Sequence, residues 1–129
     1  MDYITRPKYI EKIKQFIDKP IIKILTGMRR VGKSTLLLII KDDILKDIPT
    51  ENKIYINFES TNFFDINNSH ALLEYLQALL GNISGKVYFF FDEIQLVSDW
   101  EQVINGLRVD RDCDIYLTGS NSTLISGDL

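Results

Sequence analysis

A glycine-rich segment near the start of the chain carries residue types that hold phosphate. Residues 27–34 read Gly-Met-Arg-Arg-Val-Gly-Lys-Ser, which fits the pattern G-x-x-x-x-G-K-[ST]. Gly27 and Gly32 let the backbone approach phosphate oxygens without a Cβ in the way. In such a loop Lys33 places its charge on the β- and γ-phosphates, and the hydroxyl of Ser34 ligates Mg²⁺. The segment therefore predicts binding of a nucleoside triphosphate.

The predicted phosphate-binding set extends over the whole loop and one residue beyond it. Thr35 is the next helical residue and is predicted to reach the α-phosphate. Arg29 and Arg30 occupy variable positions, and two interpretations stay open: solvent-facing side chains, or a basic lip that contacts a partner subunit or nucleic acid. The predicted nucleotide contacts are Gly27, Met28, Arg29, Arg30, Val31, Gly32, Lys33, Ser34 and Thr35.

An acidic pair follows a long apolar run later in the chain. Asp92 is predicted to hold Mg²⁺ through water beside Ser34. Glu93 is predicted to polarise the attacking water, a general-base role worth about 10²–10⁴ in rate. Asn57 and Glu59, at the end of an earlier strand, could restrain Glu93 until a partner binds. The alternative interpretation is that Asp92 and Glu93 are two solvated turn residues.

A polar segment, Thr-Gly-Ser-Asn at residues 118–121, follows a predicted strand over 114–118. Because Asp92 must lie near Ser34 to share a metal ion, this strand is predicted to insert between the first and third strands. The serine or asparagine after it would then orient the water and sense the γ-phosphate, unless the segment is a plain turn. The predicted catalytic residues are Glu93, Lys33, Asn121 and Ser120.

These residues must be positioned by alternating strands and helices. Short apolar runs rich in β-branched and aromatic residues predict strands over 21–26, 53–59, 87–91 and 114–118. Helical spacing predicts helices over 7–20, from 33 to about 46, around leucines 72–80, and from Trp100. The run Leu36–Ile40 is apolar all round, which predicts a helix buried against the sheet. This alternation predicts an α/β fold with a parallel sheet, helices on both faces, and ligands at the carboxyl ends of the strands.

Composition narrows the class of protein. The 129 residues suit one domain, 1–129, and a net charge of −3 gives no overall basic field for nucleic acid. Cys113 is the single cysteine and cannot form an intrachain disulfide, which fits a reducing compartment. No apolar run approaches the roughly 20 residues of a membrane span, and no signal peptide is recognisable. A soluble cytoplasmic protein without membrane partners is expected.

The ordered motifs resemble one family. The AAA-type P-loop ATPase domain of prokaryotic proteins with a C-terminal nuclease-like domain of unknown function shows a similar set. The matching segments here are Arg6 and Tyr9, 24–34, 56–59, 91–95, Trp100-Glu101 and 118–121. The resemblance covers nearly the whole chain and implies the additional-strand fold, with sheet order 5-1-4-3-2. It also implies ATP and Mg²⁺ as ligands and a motor or switch core as the function.

The chain departs from that family because it stops at Leu129. The missing fifth strand predicts order 1-4-3-2 and an exposed edge at strand one, through which self-association is expected. A protein or DNA partner is expected to act through the missing half. The resemblance also implies loss of an arginine worth about 10³–10⁵ in rate in related systems, so turnover is expected to be weak.

Two other functions use the same phosphate loop. One is a regulatory switch that binds nucleotide and hardly turns over. The other is a small-molecule phosphotransferase, which leaves Glu93 and the polar segment 118–121 without a task. Nothing resembles a guanine-reading motif, so ATP is preferred over GTP.

Overall fold

Four parallel strands form the sheet that supports the candidate site. The computed structural model describes residues 11, 14, 15, 17, 19, 22–25 and 30–119, with only the backbone of Arg30 and Val31. The strands are β1 (Lys23–Leu25), β2 (Lys53–Asn57), β3 (Val87–Asp92) and β4 (Cys113–Thr118). They pair in the order β1-β4-β3-β2, and every pairing is parallel. The predicted fold class and strand order are confirmed.

Three α-helices connect the described strands. They are α1 (Arg30–Ile39), α2 (Ser69–Leu80) and α3 (Trp100–Asp110). Short 3₁₀ turns cover Thr50–Asn52, Thr61–Phe63 and Ile94–Leu96. Asn68 caps α2, because its side chain accepts a hydrogen bond from the backbone N–H of Ala71 at 2.9 Å. The helix predicted over 7–20 lies largely outside the described residues.

Helix α1 differs from its prediction at both ends. It begins at Arg30 rather than Lys33, which places the second glycine of the phosphate loop in the first helical turn. After Ile39 the backbone continues as a π-helix over Ile40–Ile44. The Nζ group of Lys53 donates to two carbonyls of this wider turn and its end, those of Lys41 (2.9 Å) and Leu45 (3.0 Å). These bonds satisfy carbonyls that the end of a helix leaves without partners.

The sheet separates two apolar clusters. On one face, α1 packs over aromatic side chains of the central strands; this cluster contains Leu25, Leu36, Leu37, Ile40, Leu45, Tyr88, Phe90 and Tyr116. On the other face, α2 and α3 pack through Leu72, Leu76, Leu80, Val103, Ile104 and Leu107. Leu38 is 39% exposed, so the prediction that the run 36–40 is buried on every side was wrong at that residue. A helix lying on one sheet keeps an outer side in solvent.

The central strands β3 and β4 lie between β1 and β2, and all their carboxyl ends reach the same edge of the sheet. Among the described residues β1 pairs with β4 alone, and the expected self-association through β1 stays a prediction. In the described part of the chain, no helix combines the length and apolar character needed to cross a membrane.

Candidate functional site

The structure covers part of the predicted site. Gly27, Met28, Arg29, Ser120 and Asn121 lie outside the described residues. For Arg30 and Val31 the backbone lies in the first turn of α1. The remaining predicted residues are described in full: Gly32, Lys33, Ser34, Thr35, Asp92 and Glu93.

Lys33 brings the first turn of α1 into contact with the ends of β3 and β4. Its side chain is almost completely buried, with 2% of the residue exposed. The Nζ group donates a hydrogen bond to the carbonyl of Gly119 at 2.5 Å and lies 3.8 Å from Oε2 of Glu93. Residues from three separate parts of the sequence therefore meet at the ammonium group of Lys33, as the predicted site requires.

Ser34 and Thr35 follow on α1, and both are half-buried. Thr35 borders a surface cavity of about 290 Å³ whose other lining residues are Leu38, Ile39, Asp42 and Asp43. The carboxylates of Asp42 and Asp43 would repel phosphate, so this cavity is a poor phosphate-binding site. The contact predicted between Thr35 and the α-phosphate stays a prediction.

Asp92 is fully buried at the end of β3, and hydroxyl groups hold both of its oxygens. Thr118 donates to Oδ1 at 2.6 Å, and Tyr55 donates to Oδ2 at 2.8 Å. Burial and the hydrogen bond to Asp92 hold the pKa of the Tyr55 hydroxyl far above its ordinary value, so it stays a donor. Each carboxylate oxygen has a second lone pair, which can coordinate a metal ion or accept a hydrogen bond from its water.

Glu93 adopts a backbone conformation that is rare for its residue type. Its φ of 60° and ψ of 53° lie in the left-handed region, which costs a non-glycine residue on the order of 1–3 kcal/mol. The backbone N–H of Glu93 donates to Oγ1 of Thr118 at 2.9 Å. On the side chain, Oε1 accepts from Nε2 of Gln95 at 2.7 Å. The turn thus aims the carboxylate at Lys33.

A single hydroxyl, that of Thr118, connects the two acidic residues. It donates to the Asp92 carboxylate and accepts from the backbone of Glu93. Because Phe91 pairs with Leu117 in the parallel register, the next residues of the two strands, Asp92 and Thr118, lie side by side. The end of β4 therefore fixes both members of the acidic pair.

Sequence reasoning missed three residues that contact this pair: Tyr55, Gln95 and Thr118. Gln95 and Thr118 stood within the motifs that carried the family resemblance, but no role was assigned to them. Gln95 bonds the Glu93 carboxylate, and Asn57 Oδ1 accepts from the backbone N–H of Glu59 at 3.0 Å. The restraint on Glu93 expected from Asn57 or Glu59 stays a prediction.

Oxygen donors at this edge fit a hard cation. The hydroxyl of Ser34 and the carboxylate of Asp92 are the kinds of ligand that Mg²⁺ takes, and Mg²⁺ usually needs only one or two protein ligands beside phosphates and waters. Lys33 adds a positively charged side chain in the first turn of α1, directly before Ser34. The described residues therefore match the chemistry of a magnesium–phosphate site.

Three uncharacterised proteins are similar in sequence to this chain. An uncharacterised protein of Haemophilus influenzae is 39% identical over 127 residues, which cover 98% of this chain and 32% of that protein. Two uncharacterised proteins of Methanocaldococcus jannaschii are 37% identical over 108 residues and 30% over 115 residues. The chain spans about a third or less of the length of these relatives. No solved structure matches it significantly.

Family membership follows from the length of one match. Residues 19–129 match a protein family described as an AAA domain, a class of nucleotide-binding, ATPase-like domains. The matched segment contains the phosphate loop, the acidic pair and all four strands. The chain therefore belongs to this AAA domain family.

Proposed function

We propose that the chain binds ATP with Mg²⁺ at the carboxyl ends of β1, β3 and β4 and hydrolyses it, as the core of a motor or switch. The observation that carries the proposal is the meeting of Lys33, Glu93 and the end of β4, with Asp92 alongside. The buried amine of Lys33, in the first turn of α1, lies beside Glu93. An anionic ligand is favoured at such a helix N-terminus.

Binding rests on α1 and Asp92. The first turn of α1 presents backbone N–H groups and the Lys33 ammonium group to the phosphates. Ser34 and Asp92 would hold the Mg²⁺ ion, which neutralises charge on the phosphates when bound. The hydroxyls of Tyr55 and Thr118 keep the Asp92 carboxylate in one orientation.

Hydrolysis rests on Glu93. Its carboxylate takes a proton from water while the water oxygen forms a bond to the γ-phosphorus and the bond to ADP breaks. The adjacent glutamate supports water rather than a second substrate as the acceptor. Ser120 or Asn121 would orient this water, and these two roles are proposals for residues outside the described part.

Two substitutions separate binding from chemistry. Lys33→Ala is expected to weaken ATP binding itself, as measured by calorimetry with Mg²⁺ present. Glu93→Gln keeps shape and removes the base, so it is expected to retain ATP affinity and lower phosphate release by about 10²–10⁴. Failure of well-folded protein to bind any adenine nucleotide would refute the proposal. Tight binding with no phosphate release by the unaltered chain would favour a regulatory switch over an ATPase.

The biological work of the full protein is a separate proposal. The relatives are about three to four times as long as this chain, and a protein or DNA partner is proposed to engage the remaining part of such a protein. That partner stays a prediction.

A further inference from the structure

Gln95 lies on the 3₁₀ turn Ile94–Leu96, directly after Glu93. Its Nε2 group donates to Oε1 of Glu93 at 2.7 Å. Its own carbonyl oxygen, Oε1, is buried and has no hydrogen-bond partner in the part of the chain that the structure describes. One end of this amide is thus well bonded while the other end is not.

The unpaired oxygen shows which contact determines the orientation of the Gln95 amide. A buried acceptor without a donor destabilises the fold, and a hydrogen bond to a charged group is stronger than one between neutral groups. If the amide were turned over, its oxygen would face the Glu93 carboxylate, and two acceptors would repel each other. The observed orientation is the one in which the amide donates a hydrogen bond to Glu93.

The turn that carries Gln95 is firmly anchored. The backbone N–H of Leu96 donates to the carbonyl of Glu93 at 3.2 Å, and that of Val97 donates to the carbonyl of Ile94 at 2.9 Å. Ile94, which precedes Gln95, and Val97, which follows it two residues later, are buried in the core with 0% and 1% exposure. An amide on such a support can hold a neighbouring carboxylate within narrow limits.

We propose that Gln95 is a positioning residue for Glu93, which holds the carboxylate in the orientation that lets it take a proton from water. This inference rests on the proposed function of the site. Lys33 lies 3.8 Å from the other carboxylate oxygen, but its charge is shared with bound phosphate during the proposed reaction. Among the described residues, the Gln95 amide donates to Glu93 and its oxygen bonds no other group, so the amide can keep Glu93 aligned while phosphate is bound.

The test substitutes Gln95→Met, which keeps the length of the side chain and removes the donor. We expect kcat for phosphate release to fall about 10- to 100-fold, since small misplacements of a reacting group have effects of this size. The dissociation constant of Mg–ATP should change less than about twofold, because Gln95 acts through Glu93 and not through the nucleotide. Gln102→Met on the exposed side of α3 is the matched control and should leave kcat unchanged.

A double-mutant cycle distinguishes positioning from a structural role. In single-turnover reactions, adding Gln95→Met to Glu93→Gln should cause no further loss, because the group that Gln95 positions is already inactive. Multiplied losses would overturn the proposal, as would a Gln95→Met variant with full kcat. Should the methionine variant not fold, Gln95→Glu replaces the same donor with a repelling charge and is expected to lose at least as much activity.

The outcome also separates this inference from the proposed function. An unaltered chain that releases phosphate while Gln95→Met releases it equally fast rejects the role of Gln95 alone. An unaltered chain that binds ATP and never hydrolyses it rejects the hydrolytic function, and the role of Gln95 with it.

Discussion

The orientation of one carboxylate depends on hydroxyl groups from two different strands. Asp92 receives the Tyr55 hydroxyl from β2 on one oxygen and the Thr118 hydroxyl from β4 on the other. Neither donor carries a charge, so neither forms an ion pair with the carboxylate that would compete with a cation. Mutation of residues that orient metal ligands typically lowers metal affinity or activity about 10- to 100-fold.

Tyr55→Phe removes one of these donors and keeps the aromatic ring in place. We expect the Mg²⁺ concentration that supports half-maximal ATP hydrolysis to rise about tenfold, the lower end of the range for such partners, because phosphates also hold the ion. Tyr75→Phe on α2, whose ring packs against Phe63, is the control and should not change the Mg²⁺ requirement. A magnesium titration of both variants makes the comparison; an unchanged requirement in Tyr55→Phe would remove Tyr55 from the site.

The motif residues of the site were predictable, and their hydroxyl and amide partners were not. Lys33 is recognisable from its fixed position in the phosphate-loop motif. Asp92 and Glu93 are recognisable because they directly follow an apolar run. In the sequence, Tyr55 looks like any other strand residue. Its hydrogen bond to Asp92 depends on the register that pairs Asn57 with Asp92. Register is set by the packing of whole strands, so it cannot be read from the residues of one strand.

Among the strands, β1 is short and depends on an interaction inside the sheet. Lys23 is fully buried in this three-residue strand, and its Nζ group contacts the carboxylate of Asp114 on β4. The same amine donates to the carbonyl of Lys19 at 2.8 Å and lies 5.2 Å from the centre of the Tyr116 ring. Tyr116 in turn donates its hydroxyl to Asp114 at 2.6 Å. This buried pair joins β1, which precedes the phosphate loop, to the centre of the sheet.

Asp114→Asn should destabilise the fold by about 3 kcal/mol or more, because it leaves the Lys23 ammonium buried beside a neutral group. The double variant Lys23→Met/Asp114→Asn should recover most of that loss, since removal of both charges leaves no unpaired ion and keeps an acceptor for Tyr116. Urea denaturation of the two variants and the unaltered chain measures both effects. Equal destabilisation in the single and double variants would show that the charge pair is not the cause.

Element types followed from apolar patterning, and strand order followed from the required site and the family resemblance, but the boundaries of α1 did not follow from either. Continuous apolar strands indicated a sheet covered on both faces, and the need to bring Asp92 near Ser34 indicated the position of β4. Helix α1 starts three residues before its predicted start because the loop motif itself enters the helix. At its π-helical end, the Lys53 side chain donates to carbonyls about ten residues earlier in the chain. Contacts of that kind leave no periodic signal.

At the scale of the whole molecule, the site joins elements that are distant in sequence. Lys33 on α1 contacts Gly119 after β4 and Glu93 after β3, and Tyr55 on β2 contacts Asp92. A ligand that bridges these elements binds the folded chain and has little to bind in the unfolded chain. Nucleotide binding should therefore raise the free energy of unfolding of the whole chain by a measurable amount.

Mg–ATP at about 100 times its dissociation constant should stabilise the fold by about 2.7 kcal/mol. For a domain of this size, that corresponds to a rise of about 10 °C in the midpoint of thermal unfolding. Glu93→Gln and Gln95→Met should show the same rise, because both retain the binding residues. Lys33→Ala should show little or none, because the phosphates lose their buried cation. Calorimetric or fluorescence melting of the four proteins tests this, and an equal rise in Lys33→Ala would place the nucleotide away from the first turn of α1.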